Sequence, residues 1–290
     1  MKTIFPSVSL LVLLLGCWSC DIINPEEQVP AYLAIEPFTF NTVAGAQGTA
    51  SAKIVEAWVF IDGAFLGVYD LPATVPVLAV GPTDIRIDAG IKENGVNDRP
   101  EPYPFFESYE VRLNLEANTT EVIQPTTRYT TNTKFAFIED FEDTRPRIFT
   151  ETIFGQTELT RTQSEVFEGN FSGQFSVTRE ERPLVEISSS IDFNGLQDEG
   201  IFVYLEVDYK SDAAVAWGIA GERNAGSGQQ QFYDPGFNPS LEWNKIYFHL
   251  SPLIFDAGIE DYKIAFQAFL TESSPDSANV FLDNIKLVHF

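Results

Sequence analysis

The residues best suited to chemistry in this 290-residue sequence are its two cysteines, Cys17 and Cys20, which both lie within the first 20 residues. Thiolates can close disulfides, ligate zinc or attack an electrophile, but the rest of the chain has no cysteine that could join them. A disulfide framework, a thiolate zinc site and a cysteine nucleophile are therefore excluded from the folded body. The chemistry left to these thiols is at the N-terminus itself.

The other reactive side chains give little support to catalysis. The two histidines, His249 and His289, lie in predicted strands near the C-terminus, and neither has a metal-type spacing such as His-x-x-x-His. The sequence has no Gly-x-Ser-x-Gly elbow, no phosphate-binding glycine loop and no dinucleotide fingerprint. Carboxylates are so numerous that choosing a glycosidase acid and base among them would be arbitrary. We therefore expect that the protein is not an enzyme.

The chain is strongly acidic, with 42 Asp and Glu residues, 18 Lys and Arg residues and a formal charge of −24. Such a surface repels phosphates, so a nucleic-acid partner is close to excluded. Apolar residues make up 44% of the sequence and aromatic residues 13%, which is enough for packed cores. The length predicts roughly two domains of ordinary size.

Residues 1–19 have the pattern of an export signal. A positively charged start precedes an apolar stretch, residues 4–15, that is too short to span a bilayer as a mature helix. The stretch ends in LLGCWSCD, where a small residue precedes each cysteine, and this resembles the lipobox of bacterial lipoproteins. The resemblance implies a lipid anchor on Cys20, or alternatively on Cys17. An ordinary signal peptide with incidental cysteines is the competing interpretation.

Residues 20–30 form an acidic tether that contains two prolines, and this composition predicts an extended, solvated segment. Acidic residues just after a lipidated cysteine resemble the surface-export signal of Bacteroidetes lipoproteins. The resemblance implies localisation at the outer membrane, anchored by acyl chains and exposed at the cell surface.

The chain from residue 31 onward predicts strands rather than helices. Residues 109–116 (YEVRLNLE) alternate between apolar and polar side chains, which places Val111, Leu113 and Leu115 on one buried face. Residues 83–88 (TDIRID) repeat this alternation. Short segments of this kind, separated by Gly, Pro, Asn and Asp, indicate an all-β protein.

Two further segments indicate how these strands are organised. Residues 57–61 (AWVFI) are apolar on both faces, as in a central strand, and Asp62 and Gly63 then signal a tight hairpin. The Thr-rich residues 126–133 suit a crossing between domains, with a boundary near residue 132. We therefore predict two β-sandwich domains, residues 31–132 and residues 133–290.

The first predicted domain contains an ordered set of turn signals. Residues 59–67 give a strand and an Asp-Gly hairpin, residues 72–76 a Pro-bounded bend, and residues 81–87 a Gly turn and a second strand. This order resembles that of small PEGA-type, Ig-like surface modules. The resemblance implies a non-catalytic spacer or contact domain.

Four segments of the second domain share the order and the spacing to the C-terminus that are typical of one family: residues 139–142 (EDFE), 167–177 (FEGNFSGQFSV), 242–250 (EWNKIYFHL) and 280–287 (VFLDNIKL). They resemble the jelly-roll, galactose-binding-like fold of many carbohydrate-binding modules. The resemblance implies a β-sandwich that binds rather than cleaves its ligand.

Many members of that family hold one structural Ca²⁺ between the first and last strands. The matching positions here are Asp140, Glu142, Glu168, Asn170 and Asp283, the third and fourth through their backbone. Strand alternation predicts that Asp283 faces the core, where a carboxylate is costly unless it binds an ion or accepts hydrogen bonds. The alternative is that Asp283 caps a β-bulge through backbone N–H groups.

Glycan binding would require exposed aromatic rings beside polar groups, because a pyranose presents both C–H faces and hydroxyls. Residues 226–240, rich in Gly, Gln, Asn and Pro, predict a long loop that could carry such groups. The candidate ligand-binding residues are Trp217, Tyr233, Phe237, Gln231 and Asn238. Ordinary packing of these rings is the alternative.

Residues 92–106 combine three prolines with the rings of Tyr103, Phe105 and Phe106, which predicts a stiff aromatic loop. One interpretation is a contact loop for a protein partner. The other is that the rings cover the end of the first sandwich.

These observations lead to two functional hypotheses. The one that the sequence favours is a non-catalytic outer-membrane lipoprotein that acts as a protein-interaction or scaffolding subunit of a cell-envelope assembly. The other is a lipoprotein that captures glycans through its C-terminal jelly roll. The expected partners are the membrane, through the acyl anchor, and outer-membrane proteins or, in the second case, a glycan.

Overall fold

A computed structural model of the chain describes residues 27–96, 100–142, 148–181, 183–198, 200–272 and 274–290. The described part of the protein is almost entirely β, with 55% of its residues in strands and 3% in helix, and the predicted all-β class is confirmed. Both candidate acylation sites, Cys17 and Cys20, the signal sequence and most of the tether lie outside the described residues. Among those residues, no helix has the length and apolar character needed to cross a membrane.

Ten strands of the described chain form the first β-sandwich. They are β1 (Ala31–Ile35), β2 (Thr39–Asn41), β3 (Glu56–Ile61), β4 (Ala64–Asp70), β5 (Ala73–Val77), β6 (Gly81–Lys92), β7 (Pro100–Pro102), β8 (Tyr109–Leu115), β9 (Thr120–Ile123) and β10 (Thr126–Arg128). One sheet has the order β5-β1-β9, a second contains β4, β3 and β6 with β7 and β8 paired to β6, and β2 pairs with β10.

Alternation along these strands builds the first core. Leu33 of β1, Val59 of β3 and Leu115 of β8 are fully buried in one apolar cluster. Within β1 and β8, the residues that alternate with the core-facing ones are more exposed. The predicted hairpin joins β3 to β4, and both Asp62 (φ 49°) and Gly63 (φ 81°) adopt the left-handed conformation that a tight two-residue turn requires. The sequence prediction is correct at this turn.

The second β-sandwich consists, within the described chain, of eleven strands and one short helix. They are β11 (Lys134–Glu139), β12 (Glu151–Phe154), β13 (Thr160–Thr162), β14 (Ser172–Thr178), β15 (Leu184–Ser188), β16 (Val203–Ser211), β17 (Ala214–Gly221), β18 (Gln230–Phe237), β19 (Ser240–His249), α1 (Ser251–Ala257), β20 (Tyr262–Phe269) and β21 (Ser277–His289).

Two antiparallel sheets face each other in this domain, as in a jelly roll. One has the order β13-β14-β21-β16-β19 with β11 paired to β21, and the other has the order β12-β15-β20-β17-β18. Trp217, Phe248 and Phe266 are fully buried between the sheets, together with the apolar residues of β16 and β21. This core fixes the six-stranded sheet whose outer face meets the first domain.

The two domains are joined through a second aromatic cluster. Strand β10 ends at Arg128 and β11 begins at Lys134, so the predicted boundary near residue 132 falls between them. The rings of Tyr103, Phe105 and Phe106 are buried in this cluster with Tyr204 and Tyr247 of the second domain. These three rings are therefore not an external contact loop, because the second domain covers them.

The segment predicted as a long loop, residues 226–240, also differs from expectation. Residues Gln230–Phe237 form strand β18, which pairs along β17 with a bulge between Val215 and Trp217. Of the predicted loop, only residues 226–229 and 238–239 lie outside strands, since Ser240 begins β19. The polar composition reflects a strand at the edge of the five-stranded sheet, which needs few apolar residues.

Candidate functional site

The outer face of the six-stranded sheet carries ionisable side chains that the first domain covers. Strand β16 turns Leu205 and Val207 toward the core, so the residues between and beside them point the other way. Glu206 and Asp208 are consequently buried at the domain interface, with 0% and 1% of their surface exposed. Burying a carboxylate is unfavourable unless partners compensate its charge and satisfy its oxygens.

Partners from both domains surround Glu206. Its Oε1 atom accepts hydrogen bonds of 2.8 Å from the hydroxyls of Tyr103 and Tyr129, both of the first domain. Lys245 Nζ lies 3.4 Å from Glu206 Oε2 and 3.5 Å from Asp208 Oδ2. Burial, reinforced by the negative charge of Glu206, raises the pKa of both tyrosines well above the usual value. They therefore act as hydrogen-bond donors and not as acids.

A second buried lysine completes this network. Lys286 of β21 is fully buried, and its Nζ atom donates a 2.8 Å hydrogen bond to the carbonyl of Thr49. Burial lowers the pKa of Lys286 to about 8, although Glu206 opposes this change. Ser51 Oγ donates to Asp208 Oδ1 at 2.8 Å. These hydrogen bonds therefore hold residues 49–53 of the first domain against the six-stranded sheet of the second domain.

The interdomain cleft, a cavity of about 270 Å³, opens where this segment ends. Its walls come from both domains, because Lys53, Lys92 and Asn94 of the first face the turn between β18 and β19 of the second. Polar side chains of the second domain lie on its wall: Tyr209, Asn238, Ser240, Asn244 and Lys245. A concave site at a domain junction with converging polar groups is a usual place for a ligand.

Hydrogen bonds hold the cleft residues in position before any ligand arrives. Lys53 Nζ donates to Asn244 Oδ1 at 2.7 Å, and the Lys53 backbone N–H donates to the Tyr247 hydroxyl at 2.9 Å. Asn244 Nδ2 in turn donates to the Tyr209 hydroxyl at 3.0 Å. The Tyr209 ring stacks on Phe237 with a centroid distance of 3.9 Å and an interplanar angle of 18°. The cleft is therefore built from groups whose orientations are already fixed.

Only two of the five predicted ligand-binding residues reach this cleft, Phe237 and Asn238. Trp217 is fully buried, its Nε1–H donates to the Pro235 carbonyl at 3.0 Å, and its ring stacks on Phe248. The hypothesis that Trp217 is a glycan platform is wrong, because β17 is an interior strand, between β20 and β18, that is buried on both faces. Phe237 is also buried, with 3% exposed, so its role at the cleft is to support Tyr209.

The other two predicted residues lie elsewhere on β18. Tyr233 is half-buried, and burial raises the pKa of its hydroxyl above the ordinary value. Gln231 is exposed and does not line the cleft. The sequence interpretation missed Lys53, Tyr209 and Asn244, because they come from three distant segments and no local pattern connects them.

A β-bulge determines the position of Asp283. The pairing of β16 with β21 shifts register between Glu206 and Asp208, and Asn284 next to Asp283 has a φ of 44°. Past the bulge, Ile285 belongs to the apolar core and Asp283 does not. The predicted alternation, which placed both on one face, is wrong because the bulge adds one residue to the strand.

The carboxylate of Asp283 accepts hydrogen bonds from backbone N–H groups. Its Oδ1 atom accepts from Asn284 at 2.9 Å, and its Oδ2 atom accepts from Phe167 and Glu168 at 3.3 Å each. Burial outweighs these bonds and raises the pKa of Asp283 to about 7, with Asp208 adding to the increase. This geometry is the bulge cap that the sequence left open as the alternative to a calcium ligand.

Glu142 is bound in a similar way by the loop that precedes β14. Its Oε1 atom accepts from the backbone N–H groups of Asn170 (2.7 Å) and Phe171 (2.8 Å), and its Oε2 atom accepts from Asn170 Nδ2 at 3.2 Å. Burial acts to raise the pKa of Glu142, but these bonds prevail and lower it. Gly169 has a φ of 73°, and a Cβ there would approach Glu142 Oε1 to 2.5 Å.

The proposed calcium ligands are therefore engaged by amide donors rather than grouped around a shared centre. Asp140 Oδ1 accepts from the Glu142 backbone N–H at 3.1 Å. Among the residues that the structure describes, no group of three or more His, Cys, Asp or Glu side chains could hold a metal ion. As they stand these residues do not fit Ca²⁺, since N–H groups occupy oxygens that it would need, and a bound calcium ion stays a prediction.

Comparisons with known proteins concern the fold. No family model matches the chain, and no curated protein matches it. The chain is similar to solved carbohydrate-binding modules with β-sandwich folds. One is a family 30 module (TM-score 0.42, 13% identity, 55% of this chain and 88% of that chain). Another is a family 11 module from Clostridium thermocellum in complex with a β-1,3-1,4-mixed-linked tetrasaccharide (TM-score 0.37, 16% identity, 53% and 94%).

A third similar structure covers most of the chain. It comes from a study of promiscuous specificity in carbohydrate-binding modules of the β-sandwich superfamily (TM-score 0.39, 14% identity, 91% of this chain and 99% of that chain). At these identities the likeness concerns the sandwich architecture alone. The lipoprotein, Bacteroidetes and PEGA-like resemblances of the sequence stay predictions.

Proposed function

We propose that this protein is a non-catalytic envelope lipoprotein that binds a glycan in the interdomain cleft. The observation that carries this proposal is the ordered polar wall of that cleft, in which Lys53, Asn244 and Tyr209 form one hydrogen-bonded chain. Sugars present many hydroxyls, so their sites need several donors and acceptors with fixed directions. This arrangement differs from the jelly-roll loop site that the sequence suggested, because it requires both domains.

The chemistry of the wall suits a hydroxylated ligand. Asn238 and Ser240 add an amide and a hydroxyl at the turn between β18 and β19, and Asn94 faces them from the first domain. Both domains are held together by the buried network under the cleft, so the two walls are rigid with respect to each other. Preorganised walls reduce the entropy lost on binding.

The test is affinity electrophoresis against soluble polysaccharides, followed by calorimetry with the best ligand. Asn238→Ala removes an exposed amide at the cleft, and Gln231→Ala removes an exposed amide on β18 outside it. We expect Asn238→Ala to weaken retention severalfold and Gln231→Ala to leave it unchanged. Equal retention for both variants would contradict the cleft as the site, and retention of no glycan would contradict the function.

Acylation and location belong to the same proposal. Anchoring through acyl chains on Cys20 would place the protein on the outer membrane, facing outward. Replacing Cys20 by Ala should abolish incorporation of a labelled fatty acid and release the protein from the membrane fraction. If Cys17→Ala has this effect instead, the alternative acylation site is correct.

A second candidate function, the scaffolding role, is favoured by one surface of the first domain. The outer face of the β5-β1-β9 sheet carries Tyr32 and Pro76, and Val122 next to Ala34 has 69% of its surface exposed. Exposed apolar sheet faces of this kind are typical contact sites for another protein. A Val122→Lys variant that no longer co-purifies with an envelope protein in mild detergent would support this role. Unchanged co-purification would contradict it.

A further inference from the structure

The interdomain cleft is cationic although the protein is strongly acidic. Among the residues that the structure describes, its lining includes three lysines, Lys53, Lys92 and Lys245, and no Asp or Glu. A larger hollow of about 690 Å³ in the second domain is lined by Asp192, Glu222, Glu260 and Asp261 together with one arginine and one lysine. The chain has 42 acidic and 18 basic residues. The presence of three lysines in the lining of the interdomain cleft therefore needs a specific structural explanation.

The three lysines differ in how their charges are compensated. Lys92 pairs with the buried carboxylate of Glu56, and Lys245 lies near Glu206 and Asp208 beneath the cleft floor. Lys53 Nζ instead donates to the neutral amide of Asn244. No carboxylate of the described residues lies within ion-pair distance of Lys53, so its positive charge is the one that the cleft leaves uncompensated.

The surroundings of Lys53 favour an anionic partner. Partial burial of Lys53 lowers the pKa of its ammonium group from the ordinary value, which means that the charged form pays a desolvation penalty in the cleft. An anion would reverse this penalty by adding an opposite charge at short range. Because the surrounding surface repels anions, the attraction is confined to the cleft and selects ligands that can enter it.

We propose that the cleft selects an acidic sugar, whose carboxylate or sulfate group pairs with Lys53 while its hydroxyls bind Asn244 and Asn238. This inference rests on the proposed function and specifies its ligand class. Lys92 and Lys245 are already compensated by Glu56, Glu206 and Asp208, so Lys53 is the side chain expected to pair with the anion. The uronic acid and the sulfated sugar share this anionic chemistry, and the experiment distinguishes them.

The experiment uses matched charged and neutral probes on the full chain in detergent solution. Trigalacturonate and its methyl ester share a backbone and differ in carboxylate charge, and dextran sulfate and dextran differ in sulfate charge. We expect one of the charged probes to bind at least about tenfold more tightly than its neutral match, as a hydrogen bond to a charged group would provide. The affinity should also fall as the Debye length decreases from about 30 Å at 0.01 M salt to about 8 Å at 0.15 M salt.

Three variants assign the effect to one side chain. Lys53→Gln removes the charge but keeps the backbone bond to Tyr247, Lys53→Arg keeps the charge, and Lys263→Gln removes a lysine from the acidic hollow. Lys53→Gln should lose the preference for the charged probe, whereas Lys53→Arg and Lys263→Gln should retain it. Circular dichroism checks that each variant is folded.

The possible results of this experiment distinguish the acidic-sugar inference from the proposed function of glycan binding. Equal binding of charged and neutral probes would overturn the acidic-sugar inference and leave glycan binding intact. A charge preference that persists in Lys53→Gln would also overturn it, because the anion would then bind elsewhere. If neither the charged nor the neutral probes bind, and no glycan is retained in the electrophoresis, both the inference and the proposed function fail.

Discussion

The interdomain cleft and the acidic hollow of the second domain occupy the same acidic protein but carry opposite charge. The hollow is formed by turns of one domain, and its carboxylates Asp192 and Glu260 are exposed to water. The cleft lies over a buried network in which Glu206 and Asp208 compensate Lys245 from below. The net charge of the chain therefore does not predict the charge of a particular site. At the domain junction carboxylates are buried beneath the cleft, and lysines line the wall of the cleft.

The largest effect in this comparison should come from the buried carboxylate. Glu206→Gln removes one of the two buried carboxylates, Glu206 and Asp208, that compensate Lys245 and Lys286, and breaking a buried ion pair typically costs about 3–5 kcal/mol. We expect a loss of this size in the free energy of unfolding measured by urea titration. The exposed carboxylate of Glu110 is the control, and Glu110→Gln should change stability by no more than about 0.5 kcal/mol. A small loss for Glu206→Gln would show that the junction is not held by charge.

A smaller loss should follow from removing one donor to the same carboxylate. Tyr103→Phe deletes the 2.8 Å hydrogen bond to Glu206 and leaves the ring packed between the domains. Hydrogen bonds to charged groups contribute about 1.5–3 kcal/mol, and Tyr129 still satisfies Glu206 Oε1, so we expect the lower end of this range in urea unfolding. Tyr32→Phe on the outer face of β1 is the matched control. If both variants lose the same free energy of unfolding, the Tyr103 hydroxyl contributes no more to stability than the Tyr32 hydroxyl does.

The strands are the part of this architecture that the sequence predicts well. Alternation in residues 109–116 matches β8, whose Val111 and Leu113 pack on the first core beside buried Leu115. Such patterns are local, since each strand shows its buried face in its own residues. The bulge at Asp283 escapes the same reasoning, because it appears only when β21 is paired with β16.

The residues of the interdomain cleft could not be predicted from such local sequence patterns. The sequence makes Trp217 a candidate ring for glycan binding, but its strand lies inside a sheet, between β20 and β18, and the ring is fully buried. Lys53 and Asn244 are 191 positions apart and meet only because the domains pack against each other. The junction depends on long-range pairing, and no window of sequence contains it.

The pH dependence of stability should reflect the buried ionisable groups next to the junction. The pKa of Asp283 is about 7 in the folded protein, above its ordinary value of 3.8, so the folded state retains a proton that the unfolded chain has lost. Stability should therefore fall as pH rises from about 4 to about 7. Asp283→Asn should flatten this part of the curve, measured as the thermal midpoint against pH.

Lys286 has the opposite sign at higher pH. Its pKa of about 8 lies below the ordinary 10.5, so the folded state has lost a proton that the unfolded chain retains. Stability should rise from about pH 8 to about pH 10.5, and Lys286→Met should remove this rise. The charge of Asp208 acts on the pKa values of both groups, and those of Glu206, Lys245 and Glu168 act on the pKa of Lys286. Unchanged curves in both variants would contradict the assigned pKa values.

The smallest effect should come from the acidic hollow. Lys263 pairs with Glu151 at 2.5 Å, but Glu151 is 44% exposed, and solvent-exposed ion pairs contribute about 0–1 kcal/mol. Lys263→Gln should therefore change the free energy of unfolding by less than about 1 kcal/mol. A loss comparable to that of Glu206→Gln would remove the contrast between the two regions.

Hydrogen–deuterium exchange with the best-binding glycan probe tests the central claim, that the interdomain cleft is the ligand site, most directly. We expect added protection in peptides that cover residues 51–56, 92–96 and 236–247, which come from both domains and line the cleft. Peptides covering residues 220–225 and 258–263, which line the acidic hollow, should be unchanged. Protection confined to the hollow, or to one domain alone, would contradict the account.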